Sequence, residues 1–379
     1  MNNYDSIRHV KGESLFLDDI SIPSSTLHGA VYSSPIAHGK INSINFEDAK
    51  NSEGVVAIFT YKDIPGENQI GGIIQDEKLF ASNDVEFIGE SIAFIVARNQ
   101  AQARAAVKKV KADIEPLEVI TDPKEAFKKN SLIVKTPKVY QNGNIEDAWE
   151  KCDVIVEDTV ESGGQEHLYL ETQAAVTFPA EGNGIKIISS TQSPTTVQRI
   201  ASRVLNLPAH SIESEVVRLG GGFGGKEDQA TAWAVMTALA AYKLKKPVKL
   251  ILARHDDMRL TGKRHPYVSD YKIGLSKEGK ILAYEVTYYQ NSGAAADLST
   301  AILDRTLSHC TNSYFIPNVK ATGWCCKTNL APNTAFRGFG GPQGMFVIES
   351  AIHKASKELG LDVHRIQSVN LFNEGEEFP

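Results

Sequence analysis

Residues 220–227 are the first stretch of the sequence whose composition favours ligand binding. The stretch reads GGGFGGKE and lies between a strand-like run and an alanine-rich, helix-like run. Glycines let a backbone approach a ligand closely, and the N-terminus of a following helix favours an anion. Phe223 stands among five glycines, which favours a wall facing a ligand. A tight turn that only packs a helix on a sheet is the alternative.

Two nucleotide-binding patterns fit this turn only in part. Its glycines satisfy G-x-G-x-x-G, but residues 243–246, where a dinucleotide fold needs an acid for the ribose, contain three lysines. Gly225 and Lys226 also end a G-x-x-x-x-G-K pattern, in which the next residue should be Ser or Thr to hold magnesium. That residue is Glu227, whose carboxylate would repel a phosphate. Both nucleotide interpretations are therefore disfavoured.

A second glycine-rich turn, residues 333–343, reads NTAFRGFGGPQ and enters another helix-like run. Arg337 and Phe339 flank Gly338, so a cation and an aromatic ring can project from one turn. Taken alone, this turn also fits a helix-entry loop with an exposed arginine. Two such turns, each with phenylalanine among glycines, favour a shared pocket.

The turns need a scaffold, and the apolar periodicity predicts one of alternating strands and helices. Residues 91–97 (SIAFIVA) are too apolar for a one-sided strand and predict a strand buried on both faces. The elements predicted nearest the turns are a strand over residues 214–219, a helix over 229–244, an antiparallel strand pair over 267–275 and 281–290, and a helix over 343–359.

Composition excludes several classes of protein. A length of 379 residues predicts two or three domains. The net charge of −6 argues against a nucleic-acid binder that works through a basic surface. Four cysteines without C-x-x-C spacing argue against a disulfide scaffold and against an iron–sulfur cluster or four-ligand zinc site in this chain. No apolar run suits a signal peptide or a membrane span, so a cytoplasmic location is expected.

Several motifs together resemble the molybdenum hydroxylase family, which contains the xanthine dehydrogenases and aldehyde oxidases. They match in order and spacing over nearly the whole chain: GESLFLDDI at 12–20, QEHLYLE at 165–171, STQ at 190–192, and both glycine-rich turns. The resemblance is closest to the xanthine dehydrogenase branch. It implies an α+β fold, with an α/β hammerhead domain over residues 1–125 and the first half of a molybdopterin-binding domain over residues 126–379.

The resemblance also implies a molybdenum–molybdopterin cofactor, held by backbone and polar contacts without a side chain that ligates the metal. Gln192 matches the glutamine that hydrogen-bonds the oxo group of the molybdenum. Phe223 and Gly224 match the turn whose backbone lies against the metal, and Arg337 matches the arginine beside the cofactor. Gln192, Phe223 and Arg337 are therefore expected next to the metal.

On the substrate side, the resemblance gives roles to Glu227, Arg305 and Phe339. They match the glutamate that hydrogen-bonds a purine ring, the arginine that faces a purine carbonyl oxygen, and one of two phenylalanines that sandwich the ring. Relatives that oxidise aldehydes tend to carry apolar residues at the first two positions. Hypoxanthine or xanthine, hydroxylated with oxygen from water, is therefore the expected substrate. Another N-heterocycle or an aldehyde is the alternative.

The family also has a second half of the molybdenum region, and it carries the glutamate that acts as general base. Nothing in this chain matches that glutamate, so no catalytic residue is expected here. The resemblance implies a partner chain that supplies the second half, and iron–sulfur and FAD subunits that accept the electrons. A non-catalytic assembly or remnant chain is the other alternative. The acidic residues at 374–377 match no motif and are expected to form a solvated tail.

Overall fold

A computed structural model describes residues 4–375 of the protein. Helices flank three β-sheets, so the predicted mixed α+β class is confirmed. Of the expected acidic tail, Glu374 is exposed, and residues 376 and 377 lie outside the described residues. Between residues 4 and 375, none of the helices has the length and apolarity to cross a membrane.

The described residues form fifteen strands and eleven α-helices. The strands are β1 (Leu27–Ser33), β2 (Gly39–Asn45), β3 (Val55–Phe59), β4 (Asp84–Val85), β5 (Ser91–Ala97), β6 (Lys111–Pro116), β7 (Lys138–Asn142), β8 (Val154–Ser162), β9 (Ala174–Pro179), β10 (Ile185–Ser189), β11 (Ile212–Glu215), β12 (Val248–Ile251), β13 (Tyr267–Leu275), β14 (Ile281–Gly293) and β15 (Val319–Lys327). The helices are α1 (Tyr4–Lys11), α2 (Glu47–Lys50), α3 (Gln100–Val107), α4 (Pro123–Lys128), α5 (Ile145–Trp149), α6 (Pro194–Leu205), α7 (Ala230–Leu244), α8 (Arg254–Leu260), α9 (Ser299–Ser308), α10 (Gly341–Leu359) and α11 (Val363–Asn370).

The largest sheet has seven strands in the order β11-β10-β9-β12-β1-β5-β3. Strand β1 pairs in parallel with β12, with Leu27 opposite Val248, so strands from both sides of the predicted boundary near residue 125 share this sheet. Strand β5 is buried from Ile92 to Ala97, which confirms the prediction for the SIAFIVA run. The alanine-rich α7 is buried on nearly all sides, because small side chains let it pack closely between this sheet and α6.

A second sheet has five strands in the order β7-β15-β14-β13-β8, and a third has three in the order β4-β2-β6. The predicted antiparallel pair is confirmed as β13 and β14, in which Tyr267 lies opposite Gln290. Helices α9 and α10 contribute to the apolar core of the five-stranded sheet. Helix α7 follows the first glycine-rich turn, and α10 follows the second, so each turn begins a helix that packs on a different sheet.

Two predicted boundaries near the turns were displaced. The strand expected over residues 214–219 is β11, which ends at Glu215. This strand lies at the sheet edge and pairs only with β10, whose paired run ends at Ile188 opposite Glu215. The chain beyond Glu215 therefore has no partner to extend the ladder. Helix α10 begins at Gly341, two residues before the expected start, because Pro342 fits the first turn of a helix.

Gly29 in β1 tests the packing of the largest sheet. A β-carbon at this position would lie 1.9 Å from Cζ of Phe94, which is fully buried. We expect Gly29→Ala to lower the free energy of unfolding in urea by about 2 kcal/mol, because the ring has no free space to move into. Gly163→Ala is the control, since nothing lies within 4 Å of its β-carbon. Equal stabilities of the two variants would contradict this account of the packing.

Candidate functional site

The first glycine-rich turn has a backbone that side chains other than glycine rarely adopt. Gly221 and Gly224 have φ of 92° and 97°. Phe223 also has a positive φ, 53°, and its side chain is 48% exposed. Because a bulky residue in this conformation is a backbone outlier, the turn holds the Phe223 ring in a defined, outward position.

Gln192 is fixed against this turn by its own amide. Its Oε1 atom accepts hydrogen bonds from the N–H groups of Gly224 (2.8 Å) and Lys226 (3.3 Å). A β-carbon on Gly222 would lie 2.4 Å from the same oxygen, so the glutamine needs a glycine beside it. Because both donors are main-chain N–H groups, the atom of the Gln192 amide that they contact must be its oxygen. The Nε2 group, which has no hydrogen bond in the described part of the chain, is left as a donor at the surface.

A main-chain hydrogen bond joins the two glycine-rich turns. The N–H of Arg337 donates to the carbonyl oxygen of Phe223 at 2.9 Å. A β-carbon on Gly224 would lie 2.7 Å from the carbonyl oxygen of Ala335, so the turns meet at a distance that only glycine permits. The predicted pairing of the turns is therefore present, with the exposed side chain of Arg337 next to Phe223 in the structure.

His167 contacts both glycine-rich turns. Its Nε2 atom lies 2.7 Å from the carbonyl oxygen of Ala335, and a β-carbon on Gly225 would lie 2.6 Å from its ring. The ring centroid lies 4.7 Å from that of Phe336. Burial lowers the pKa of His167, which favours the neutral ring. Because a carbonyl only accepts, the neutral ring carries its proton on Nε2.

Arg264 is a contributor that sequence reasoning missed. Its guanidinium lies 3.9 Å from the Phe336 ring centroid, and its Nη2 group donates to the carbonyl oxygen of Arg337 at 3.0 Å. Its Nε group donates to the side-chain oxygen of Gln165 at 3.1 Å. The second turn thus rests on a cation that belongs to neither turn. No local motif around Arg264 marks this role.

The side chain of Lys226 points beneath the backbone of the first turn, so a phosphate bound outside the turn would not reach it. Its side chain is fully buried, with Nζ 3.2 Å from Oε2 of Glu171 and 4.6 Å from the Tyr169 ring centroid. The same carboxylate oxygen accepts the N–H of Gly220 at 2.9 Å. Burial lowers the pKa of Lys226, and Glu171 opposes that shift. Glu171 therefore holds both ends of the turn.

The residues expected on the substrate side lie on three separate elements. Glu227 follows the first turn, and burial raises its pKa, with a smaller contribution from Asp228. Phe339, with φ of 48°, is half-buried in the second turn. Arg305 is exposed on α9. No hydrogen bond or ion pair joins Glu227 to Arg305 in residues 4–375.

Helix α9 packs directly under the second turn. A β-carbon on Gly340 would lie 2.2 Å from the carbonyl oxygen of Ile302, and the hydroxyl of Thr306 donates to the carbonyl oxygen of Gly340 at 3.1 Å. Arg305, the neighbour of Thr306, therefore lies near the turn that carries Phe339. Its chain neighbour Asp304 pairs with Lys138 instead, which leaves Arg305 outside the ion pairs of the described residues.

The geometry thus separates the sequence-derived residues into two groups. Direct contacts join Gln192, Phe223, Gly224 and Arg337 at the meeting point of the turns. Glu227, Arg305 and Phe339 lie on different elements. In the described range, no group of three or more His, Cys, Asp or Glu side chains is arranged to hold a metal ion. Any ligand at the turns is therefore met by backbone groups, one amide, one guanidinium and aromatic rings.

Comparison with known families matches two sequence profiles to this chain. The profile of the molybdopterin cofactor-binding domain matches residues 127–371. The profile of the a/b hammerhead domain of aldehyde oxidase and xanthine dehydrogenase matches residues 11–118. The site described above, including both glycine-rich turns and α9, lies wholly inside the first of these matches.

Individual relatives agree with the profiles. Xanthine dehydrogenase from Dictyostelium discoideum is 41% identical over 369 residues, and xanthine dehydrogenase 1 from Arabidopsis thaliana is 42% identical over 369 residues. Each match covers 97% of this chain and 27% of the relative. The solved structure of the aldehyde oxidoreductase from Desulfovibrio gigas has a TM-score of 0.93 and 26% identity, covering 99% of this chain and 43% of that one.

The ion pair beneath the first turn can be tested through stability. We expect Glu171→Gln to lower the free energy of unfolding in urea by about 3 kcal/mol, because it leaves the buried ammonium of Lys226 without a counter-charge. Adding Lys226→Met should recover part of this loss, since it removes the unpaired charge. Glu157→Gln is the control: its pair with Lys272 is exposed and should contribute less than about 1 kcal/mol. Equal losses for the two glutamines would contradict the buried role of Glu171.

Proposed function

Because the chain belongs to the family of xanthine dehydrogenases and aldehyde oxidases, we propose that it forms the first half of the molybdopterin site of a purine hydroxylase. This enzyme oxidises hypoxanthine or xanthine with oxygen from water and passes the electrons to iron–sulfur and FAD partners. The observation that carries the proposal is the hydrogen bond between Arg337 and Phe223. It sets a cation, a ring and the amide of Gln192 around one bare stretch of backbone.

The chemistry of these groups fits a molybdenum–molybdopterin cofactor. The oxygen of Gln192 is occupied by two main-chain N–H groups, so its Nε2 group would donate a hydrogen bond to an oxygen on the cofactor. Gly222 and Gly224 leave room for Gln192 and for the second turn, and Arg337 would offer a positive charge to an anionic group. The bound cofactor would supply the two-electron redox chemistry, while this chain orients the reactants.

Glu227, Arg305 and Phe339 suit a purine. The raised pKa of Glu227 makes a protonated carboxyl more accessible, and a protonated carboxyl can donate as well as accept a hydrogen bond to a heterocycle. The free guanidinium of Arg305 would stabilise negative charge on a carbonyl oxygen during oxidation. Phe339 would orient a flat ring by stacking at a low entropic cost. An aldehyde is the second candidate substrate, favoured by the aldehyde oxidoreductase name of the Desulfovibrio gigas structure.

The proposal includes a partner. The chain spans 27% of the length of its curated relatives, and it contains no residue to which we assign the role of general base. We propose that a further region or polypeptide supplies this base and the rest of the pterin site. The electrons would leave through iron–sulfur and FAD subunits, since we assign no cluster or flavin site to this chain.

The need for a partner predicts that the isolated 379-residue chain does not turn over purines. We expect no formation of urate from xanthine by the purified chain, because the orienting groups act without a general base. The measurement is a spectrophotometric urate assay, with metal and pterin analysis of the same sample. Robust turnover by the isolated chain would refute the split site. A purified complex without molybdenum or pterin would favour the non-catalytic alternative.

The substrate class predicts a selective effect of Arg305→Met in the complete enzyme. We expect kcat/KM for xanthine to fall by about 100-fold, because an electrostatic stabiliser of the transition state is lost. Turnover of a small aromatic aldehyde should be kept, since its one carbonyl is the group that is oxidised and it has no second carbonyl for this guanidinium to face. The control is Arg98→Met, at an exposed position in the N-terminal part of the chain. Equal losses with both substrates would point away from purines.

A further inference from the structure

Asp297 is a buried carboxylate held by three donors, and it lies outside every motif discussed above. Its side chain is 2% exposed, and its backbone has a φ of 42°. It accepts hydrogen bonds from the N–H of Leu298 at 2.6 Å, the hydroxyl of Thr334 at 2.7 Å and the Nε2 group of Gln229 at 2.8 Å. A strained backbone at such a position persists only where the surroundings fix it.

The three donors belong to the three elements that carry the substrate-side residues. Gln229 lies two residues after Glu227 and caps α7. Thr334 opens the second glycine-rich turn, which carries Phe339. Leu298 caps α9, the helix of Arg305. One carboxylate therefore connects elements that lie far apart in the sequence, whereas no hydrogen bond or ion pair joins Glu227 directly to Arg305 in the described residues.

The other bonds of the donors make this connection rigid. The Oε1 atom of Gln229 accepts the N–H of Gly262 at 3.0 Å, and its Nε2 group also donates to the carbonyl oxygen of Pro332 at 3.3 Å. Turning the amide over would break these bonds as well as the bond to Asp297. The N–H of Thr334 donates to the carbonyl oxygen of Lys263 at 3.0 Å. Gln229 and Thr334 thus each link Asp297 to further main-chain groups around the site.

The charged groups around Asp297 are mainly acidic. Asp228 faces it from the segment before α7, and Glu77 faces it from the N-terminal part of the chain. Asp76 accepts the N–H of Ala296 at 2.9 Å, directly before Asp297. Asp297 takes part in none of the ion pairs of residues 4–375. Burial, with a contribution from Asp228, raises its pKa to about 8.

We propose that Asp297 is a positioning residue that sets the separation of Glu227 and Arg305 and thereby selects a purine over smaller flat substrates. This inference rests on the proposed function, because it assigns both residues to the substrate. Asp297 itself does not touch the substrate: it acts through Gln229, Thr334 and the first turn of α9. Removing one of its three bonds therefore shifts one element relative to the others, and displacements of about 1 Å can weaken catalysis about 100-fold.

The protonation state of Asp297 affects the three bonds differently. A protonated carboxyl must donate its hydrogen, and Gln229 Nε2 and the N–H of Leu298 offer no acceptor. Of these three partners, only Thr334 has an oxygen that can receive this proton, and the bond to the second turn then reverses its direction. The ionised form accepts from all three donors, and such charge-assisted bonds are stronger. The hydrogen bonds that connect the three elements through Asp297 are therefore strongest above the pKa of Asp297.

Asp297→Asn tests the hydrogen-bonded connection between the three elements in the isolated chain. Asparagine tolerates a positive φ, and its oxygen can still accept from Thr334 and Leu298, but its NH₂ group would face the NH₂ group of Gln229. We expect clearly faster amide hydrogen exchange in residues 225–231, where the bond to Gln229 is lost, and a smaller increase in residues 297–302, where an amide oxygen replaces a stronger carboxylate acceptor, both measured by mass spectrometry. Asp256→Asn, on the same chain but in α8, is the control. Faster exchange in residues 297–302 alone would reduce Asp297 to a local helix cap and overturn the proposal.

A double variant provides the rescue. In Asp297→Asn combined with Gln229→Glu, the amide and the carboxylate exchange places, so the asparagine NH₂ group donates to the new carboxylate. We expect exchange in residues 225–231 to return towards that of the unmodified chain, despite the loss of the bond to Pro332. If only the volume of the side chain mattered, Asp297→Asn alone would cause no loss, because it conserves shape. Failure to rescue would therefore contradict a hydrogen-bonded tie.

The pH dependence of stability gives an independent readout. Asp297 has a raised pKa in the folded state, about 8, so the folded chain binds more protons than the unfolded chain between roughly pH 4 and pH 8. Its ionisation therefore destabilises the fold, a penalty absent below about pH 4 and complete above about pH 8. We expect the fall in Tm over this range to be smaller in Asp297→Asn. Asp228, Asp76 and Glu77 titrate in both proteins, so an unchanged slope would contradict the assignment.

Activity of the complete enzyme separates this inference from the proposed function. In Asp297→Asn we expect KM for xanthine to rise about tenfold, while kcat/KM for a small aromatic aldehyde changes little, because only the purine needs both Glu227 and Arg305 at a fixed separation. Equal losses for both substrates would overturn the positioning role. Absence of purine turnover in the unmodified complex would instead refute the proposed function and leave the hydrogen-exchange result valid.

Discussion

The close approach of two nearly bare turns is the constraint on which the rest of the site depends. The bond from the N–H of Arg337 to the carbonyl of Phe223 forms only because Gly224 leaves room for the backbone of Ala335. Each turn precedes a helix, and the two helices pack on different sheets. The packing of the two cores therefore fixes where the turns meet. The backbone of the turns then sets the direction of the Phe223 and Arg337 side chains.

The sequence predicted those parts of the site that depend on residues close together along the chain. Runs of glycine with one phenylalanine marked both turns, and the helices after them followed from apolar periodicity. Arg264 and Asp297 were missed because each acts on residues distant along the chain: Arg264 reaches Arg337, and Asp297 reaches Gln229. Lys226 ends a phosphate-binding pattern that Glu227 had already made doubtful, and in the structure Glu171 holds this lysine in the interior. Local patterns describe backbone conformation well and tertiary electrostatics poorly.

The two sides of the site solve the problem of buried charge differently. Beneath the first turn, the Lys226 ammonium lies beside the Glu171 carboxylate, so the backbone that would face the cofactor rests on a neutral pair. Behind the substrate-side residues, Asp297 lies near other carboxyls and makes no ion pair within residues 4–375, and burial raises its pKa. A buried acid of this kind is tolerated because three donors satisfy its oxygens. One side thus rests on a pair of opposite charges, and the other on an acid whose pKa is raised by burial.

The sheet that joins β1 to β12 has a consequence for partial chains. Strand β12 lies between β9 and β1, and Val248 and Leu250 on it are almost fully buried. A proteolytic fragment that lacked the first hundred residues would expose the free backbone groups of β12 next to these apolar side chains. Such an open, apolar edge is a template for pairing with other copies. In the intact chain, β1 covers this edge of β12.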